Sequence, residues 1–240
     1  MTRQFTHSEH VWQRFPRLAA AALIVEAVDH DADVEDAVAA YLTAARERAA
    51  GMPESELAAI GAWRRVYAQM GLKPTQFRNA AESLLRRLRT HGELPRMHPL
   101  VDLCNAVSAA HAIPIAVLDL DRVDGDLTVG PATGAETYVT FSGEIEHPAA
   151  GEIVYADRAG YAHSRRWVTR QSGRSAIRPR TTRALIVAEA VHDSATADID
   201  RVRSALTQEI AAHWGATPVH RRLSKDDPGI ELDAADAQRG

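Results

Sequence analysis

The stretch HPLVDLCNAVSAAHAIPIAVLDLDRV, residues 98–123, decides how the chain is read. Pro99 suits the first turn of a helix, where its missing N–H costs nothing. Leu100, Leu103, Val107 and Ala110 then recur at helical steps, and Asp102, Asn105 and Ser108 form a polar stripe beside them. Pro114 cannot continue a helix, and the apolar run at 115–120 reads as a buried strand. A helix that hands the chain directly to a buried strand predicts a mixed architecture.

The pattern extends outward in both directions. Upstream, LAAAALIVEAV at 18–28 is a strand buried on both faces, or a helix if its alanines decide. Helical periodicity follows at 33–50, 54–70 and 76–90, punctuated by Gly51, Gly71 and Pro74. Downstream, short apolar runs alternate with Gly, Asp and Pro turns, and 152–157 and 184–190 are the clearest strands. A last helix at 196–214 places Ile199, Val202, Leu206 and Ile210 on one face before Gly215. The expectation is an α+β body with a central β-sheet or sandwich and helices packed around it. It is a single domain over 1–222, helix-rich at 10–112, β-rich at 113–191, with a terminal helix at 194–215. The acidic, apolar-poor tail 223–240 reads as disordered.

Composition excludes several classes. With 240 residues, 45% hydrophobic, the chain is long enough to bury a core, and a net charge of −4 gives no global field for nucleic acid. One cysteine, Cys104, fits a reducing compartment, and with no signal core or membrane-length run a cytoplasmic protein is expected. No GxxxxGK[ST], GxGxxG, GxSxG or HExxH occurs, and the eleven histidines share no ligand spacing. Neither metal nor cofactor is expected.

RRWVTRQSG at 165–173 is the core of the sharpest charge asymmetry. Eight arginines lie between 158 and 183 with no acid among them. They are either solvated or a phosphate surface, since guanidinium forks match phosphate oxygens. As a strand, 165–171 puts Arg165, Trp167, Thr169 and Gln171 on one face and Arg166, Val168 and Arg170 on the other. Chemically, Gln171 and Asn105 can orient a water or carbonyl, and Thr169 and Ser108 add hydroxyls.

In order, LVDLCNAVSAAHAIPIAVLDLDRV, EIVYADRAG, RRWVTRQSG and ALIVAEA resemble the B3/B4 domain. That domain is the editing and tRNA-binding module of the bacterial phenylalanyl-tRNA synthetase beta subunit, and QRFPRLAAAALIVEAV resembles freestanding B3/B4 proteins. The resemblance covers roughly 10–215. It implies a pocket for an aminoacyl ester on a tRNA 3′ end, and hydrolysis of mischarged tRNA in trans. The family's Asp and Asn match Asp102 and Asn105; its Asp and Asp-Arg match Asp119, Asp121 and Arg122. Its recognition glutamate falls on Gln171 and its histidine near Ala116, two departures that alter which side chain the pocket accepts and bear on activity. The rivals are a non-catalytic RNA-binding module and a protein that binds a free amino acid or related metabolite. The site reading is therefore Gln171, Asn105 and Thr169 for hydrolysis and Asp102, Ser108, Asp119 and Trp167 for substrate. Arg165, Arg166, Arg170 and Arg174 are read as holding RNA phosphate. It requires the Asn105 helix and the Gln171 ribbon to enclose one cavity.

Overall fold

Ala19 to Val25 offers no polar side chain, so it can be stable only as an element covered on both sides. In the computed structural model, which describes residues 2–233, this segment is a strand at the centre of a sheet. The chain opens with β1 (Gln4–His7), α1 (Glu9–Arg14) and this strand, β2 (Ala19–Glu26). Four helices follow, α2 (Glu35–Arg48), α3 (Ala58–Gln69), α4 (Ala80–His91) and α5 (Pro99–His111). Then come β3 (Ile115–Asp119), β4 (Leu127–Pro131), β5 (Thr137–Val139), β6 (Ile145–Glu146), β7 (Ile153–Asp157) and β8 (Tyr161–Ala162). The last third holds β9 (Ser164–Arg165), β10 (Arg170–Gln171), β11 (Arg183–Ala190), α6 (Ala195–Trp214), β12 (Val219–Leu223) and β13 (Gly229–Glu231).

The central sheet is antiparallel, in the order β12-β2-β11-β3. Alternation splits its side chains between two cores. Leu23, Val25, Val117 and Ile186 face one side, where α2, α5 and α6 pack through Val38, Leu103, Val107, Val202 and Leu206. Ile24, Leu118, Leu185 and Val187 face the other, against α1, α3 and a second sheet that contributes Phe5, Leu127, Val129 and Tyr155. That second sheet has seven strands in the order β13-β1-β4-β7-β8-β5-β6. The architecture is α+β, and a helical layer, the four-stranded sheet, a core and the seven-stranded sheet follow one another.

Local signals explain the boundaries. The Asn79 side chain accepts the Glu82 N–H at the start of α4, and Gly92 closes it in the left-handed conformation at φ 80°. Helix α5 begins at Pro99 and ends on Ala112, a left-handed residue, before Pro114.

The expectation for 223–240 needs correction over the described residues. Leu223 ends β12, Gly229–Glu231 pairs with β1, and Ile230 and Leu232 are buried. Arg3 and Asp233 form an ion pair at 2.7 Å beside that strand pair. Pairing to β1 supplies the order that the composition of the segment does not. The remainder of the tail, 234–240, lies outside the described residues.

Candidate functional site

A hairpin replaces the strand expected at 165–171. β9 and β10 pair antiparallel, Arg165 opposite Arg170 and Ser164 opposite Gln171. Between them Arg166 and Trp167 take left-handed φ angles of 50° and 60°. Each such non-glycine residue costs about 1–2 kcal/mol, so the turn must be held from outside. The Arg166 N–H donates to Glu152 Oε1 at 2.9 Å, and the Trp167 N–H to the Ile153 carbonyl at 2.6 Å. The Ala80 N–H, at the start of α4, donates to the Val168 carbonyl at 2.9 Å. The Thr169 hydroxyl lies 2.8 Å from Tyr67 Oη. Two consecutive left-handed residues destroy the two-residue alternation, which is why a strand reading misassigned these faces.

Trp167 is fully buried, its ring 5.0 Å from Trp63 and 4.9 Å from Phe15. Its indole N–H donates to Glu189 Oε1 at 2.7 Å. The same buried carboxylate accepts from His7 Nε2 at 2.7 Å and from the Tyr155 hydroxyl. Burial and the Glu189 carboxylate together push the Tyr155 hydroxyl well above the ordinary tyrosine range. Glu189 therefore ties β11, β1, β7 and the hairpin to one point.

A cavity of about 60 Å³ lies between the hairpin and β3. Ala116 and Leu118 of β3, Tyr155, Trp167 and Val168 give it mostly apolar walls; Thr169, Arg170, Gln171 and His163 add polar groups. Gln171 donates its amide to the Val117 carbonyl at 2.6 Å, and no described group bonds its Oε1. His163 is fully buried, with Nε2 3.1 Å from Asp157 Oδ2. Burial opposes the Asp157 charge, yet His163 and the N–H groups of Tyr161 and Asp124 hold that carboxyl below its ordinary value. Outside the cavity, Arg170 and Gln171 also border an open groove of about 510 Å³ that includes exposed Phe141.

Gln171, Thr169 and Trp167 thus meet at one cavity. Asn105, Asp102 and Ser108 do not join them, because α5 packs on the opposite face of the four-stranded sheet. The expected cavity between the Asn105 helix and the Gln171 ribbon is therefore not formed. Asp102 accepts the Met97 N–H at 2.9 Å at the head of α5, and Ser108 donates to the Ile113 carbonyl at 2.6 Å at its foot. Asn105 has no side-chain hydrogen bond among the described residues. Asp119 is also occupied structurally, accepting from Thr181 Oγ1 at 2.7 Å and from the Asp121 N–H at 3.0 Å.

The arginines divide by partner. Arg165 is buried, bidentate on Glu152 at 2.6 and 2.9 Å and bonded to Glu146 at 2.7 Å, which makes it an internal brace rather than a phosphate contact. Arg174 meets Asp124 at 2.5 Å and lies over the Tyr161 ring. Arg170 reaches Glu146 at 3.1 Å but remains partly exposed at the groove. Arg166 has no ion pair among the described residues and stacks 4.3 Å from the Phe77 ring centroid. Burial pushes its guanidinium below the ordinary arginine value.

Sequence reasoning missed His7, Tyr155, Asp157, His163 and Glu189. For Glu189 the signal was present: a lone carboxylate inside the apolar run ALIVAEA has to find donors.

A profile of the B3/4 domain matches residues 62–211, more than half of the chain. The chain belongs to the B3/4 domain family. The matched B3/4 region contains the cavity, the hairpin and Glu189, while β1, which supplies His7, precedes it. An N-terminal fragment of the phenylalanyl-tRNA synthetase beta subunit from Pyrococcus horikoshii is similar at 10% identity and a TM-score of 0.44, over 91% of this B3/4 chain and 53% of that one. The chain spans about half the length of that fragment. No curated protein matches it. Among the described residues no cluster of three or more His, Cys, Asp or Glu could hold a metal, and no helix is long and apolar enough to cross a membrane.

Proposed function

We propose that this B3/4 domain binds the aminoacylated 3′ end of a tRNA and hydrolyses the ester of a wrong amino acid in trans. Family membership and the resemblance to a synthetase editing module support the class of reaction. The single observation that carries the reading is the cavity between β3 and the hairpin, apolar in its walls and opening beside Arg170. Its volume of about 60 Å³ exceeds the roughly 10–15 Å³ that one water requires. Its largely apolar walls suit an uncharged acyl side chain. The groove bordered by Arg170, Gln171 and Phe141 gives the ribose and base a path to the cavity mouth. Gln171 Oε1 is free to orient a donor, and an aminoacyl ester, already activated, gains most from positioning.

The test is a panel of tRNAs charged with glycine, alanine, serine, phenylalanine and tyrosine, followed for release of amino acid. Release of the amino acid from one or more members faster than the uncatalysed rate supports the reading. Absence of turnover on every member, at enzyme excess, overturns it. A non-catalytic RNA-binding module is the second reading, favoured by the internal bonds already made by the Gln171 amide and Thr169. Salt-dependent binding of uncharged and charged tRNA alike, without turnover, selects it.

A further inference from the structure

We propose that a cleft between the end of α1 and α3 grips the backbone phosphate of RNA through Arg14, Arg17 and Arg65. The cleft shares an RNA partner with the deacylase reading but not its chemistry, and it stands whether or not the cavity hydrolyses an ester.

The cleft has a volume of about 230 Å³, far above the roughly 10–15 Å³ that one water requires. Phe15, Ala62, Val66 and Val191, all buried, form its apolar floor. The three arginines and Gln69 line it above that floor, and all four are exposed. No aspartate or glutamate lines it. The Phe15 ring lies 4.9 Å from Trp167 of the cavity wall, yet cleft and cavity have no lining residue in common. It is a second site with its own walls.

Charge balance sets these arginines apart. Arg65 makes no hydrogen bond or ion pair among the described residues. Arg14 donates to the Gln69 carbonyl at 2.9 Å and lies over the Phe15 ring, and neither contact cancels its charge. Arg17 meets Asp193, but those side chains are 68% and 88% exposed, and such a surface pair contributes little. In the hairpin segment, by contrast, Arg165, Arg170 and Arg174 each meet a carboxylate. Guanidinium forks match phosphate oxygens, so three of them around one concavity fit a phosphate.

The surrounding charge favours a ligand with many phosphates over one with a single group. From 57 to 92 the chain carries seven arginines and lysines and one acid, Glu82, which Arg64 and Arg78 already share. Lys73, Arg86 and Arg87 are exposed and make no ion pair among the described residues. A small phosphate needs the cleft alone; a run of cations beyond it suits a backbone whose phosphates repeat.

The test is filter binding of uncharged tRNA to the full-length protein between about 50 and 200 mM salt. Arg14→Ala and Arg65→Ala are each expected to lower the log–log slope by about one, and the double variant by about two. Arg46→Ala removes an equally exposed arginine from α2, in the layer on the other face of the four-stranded sheet, and is expected to leave the slope unchanged. Arg65 bonds nothing among the described residues, so its removal should leave the fold intact, which Tm checks. Unchanged slopes in both cleft variants overturn the proposal. So does an equal drop in Arg46→Ala, the mark of diffuse attraction, or a wild type that does not bind tRNA at the lowest salt. Sodium pyrophosphate that raises the Tm of wild type but not of the double variant, with slopes unchanged, replaces RNA with a small phosphate ligand and also overturns it. Because the tRNA is uncharged, none of these outcomes depends on turnover. A protein that binds through the cleft but releases no amino acid from any charged tRNA overturns the deacylase reading alone.

Discussion

Replacing Glu189 with leucine should be among the most damaging single changes in the protein. The side chain is nearly the same size and fully buried, so little volume is at stake. What is lost is an acceptor for three buried donors, His7 Nε2, the Tyr155 hydroxyl and Trp167 Nε1. Each stranded donor costs about 1–3 kcal/mol, or about 3–9 kcal/mol together, against a total stability of roughly 5–15 kcal/mol for a typical protein. Trp167 also sits at φ 60°, and the Glu189 bond is one of the few anchors that hold it there. Glu189→Gln retains one acceptor oxygen but turns an N–H₂ toward a donor, so it should cost less than leucine yet still lose at least one bond of about 1.5–3 kcal/mol. Urea unfolding monitored by tryptophan fluorescence measures both. Adding Tyr155→Phe to the leucine variant removes one of the stranded donors and should recover part of the loss. A leucine variant within about 1 kcal/mol of wild type would show that Glu189 does not unite these elements.

Four further outcomes follow from the site. Arg165→Met should cost about 3–5 kcal/mol by leaving largely buried Glu152 without its guanidinium, while Glu146 keeps Arg170, and leave the salt dependence of RNA binding unchanged. Arg170→Ala should instead lower that log–log slope by about one; filter binding across salt concentrations separates them, and equal slopes would refute the division. Gly173→Ala places a Cβ 2.6 Å from the Thr140 carbonyl oxygen and 3.1 Å from Phe141 Cα; a loss of about 1–3 kcal/mol should appear as a lower Tm, and an unchanged Tm contradicts the packing. Asp157 titrates lower in the folded protein than in the unfolded chain, so its stabilisation is present above the ordinary carboxylate range and lost as pH falls through the lowered value. Asp157→Asn should therefore be less stable near neutrality and show a shallower loss as pH falls below the ordinary carboxylate range; urea midpoints near neutrality and below that range check the sign.

Elements whose reasons are local were legible in the sequence. The step from α5 to β3 is written in Pro99, the leucine and valine spacing and Pro114, and β2 and β11 in their apolar runs. The hairpin was not, because neither left-handed residue in its turn is a glycine; outside contacts to Glu152 and Ile153 force the conformation. The basic segment misled for a related reason. It holds no acid within itself, yet Glu146, Glu152 and Asp124 arrive from strands and turns 13 to 50 residues away. Asn105 shows the limit of helix periodicity, which defines a polar stripe but not which side of a sheet the helix will cover. Family resemblance puts Gln171 where the family has its recognition glutamate; it gives no hint of buried Glu189, one strand later, which bonds Trp167 and Tyr155 of the cavity wall.

The position of β2 has a consequence for synthesis. Both strands that flank it, β11 and β12, are encoded in the last third of the chain. On the ribosome, this most oily stretch waits without neighbours while some 150 residues are added behind it, and long-range pairing of this kind is slow to form. A nascent chain in that interval exposes what aggregation and chaperones both recognise. Production of the protein is thus governed by how well that interval is shielded, and slower elongation or removal of the final strands should send it to inclusion bodies.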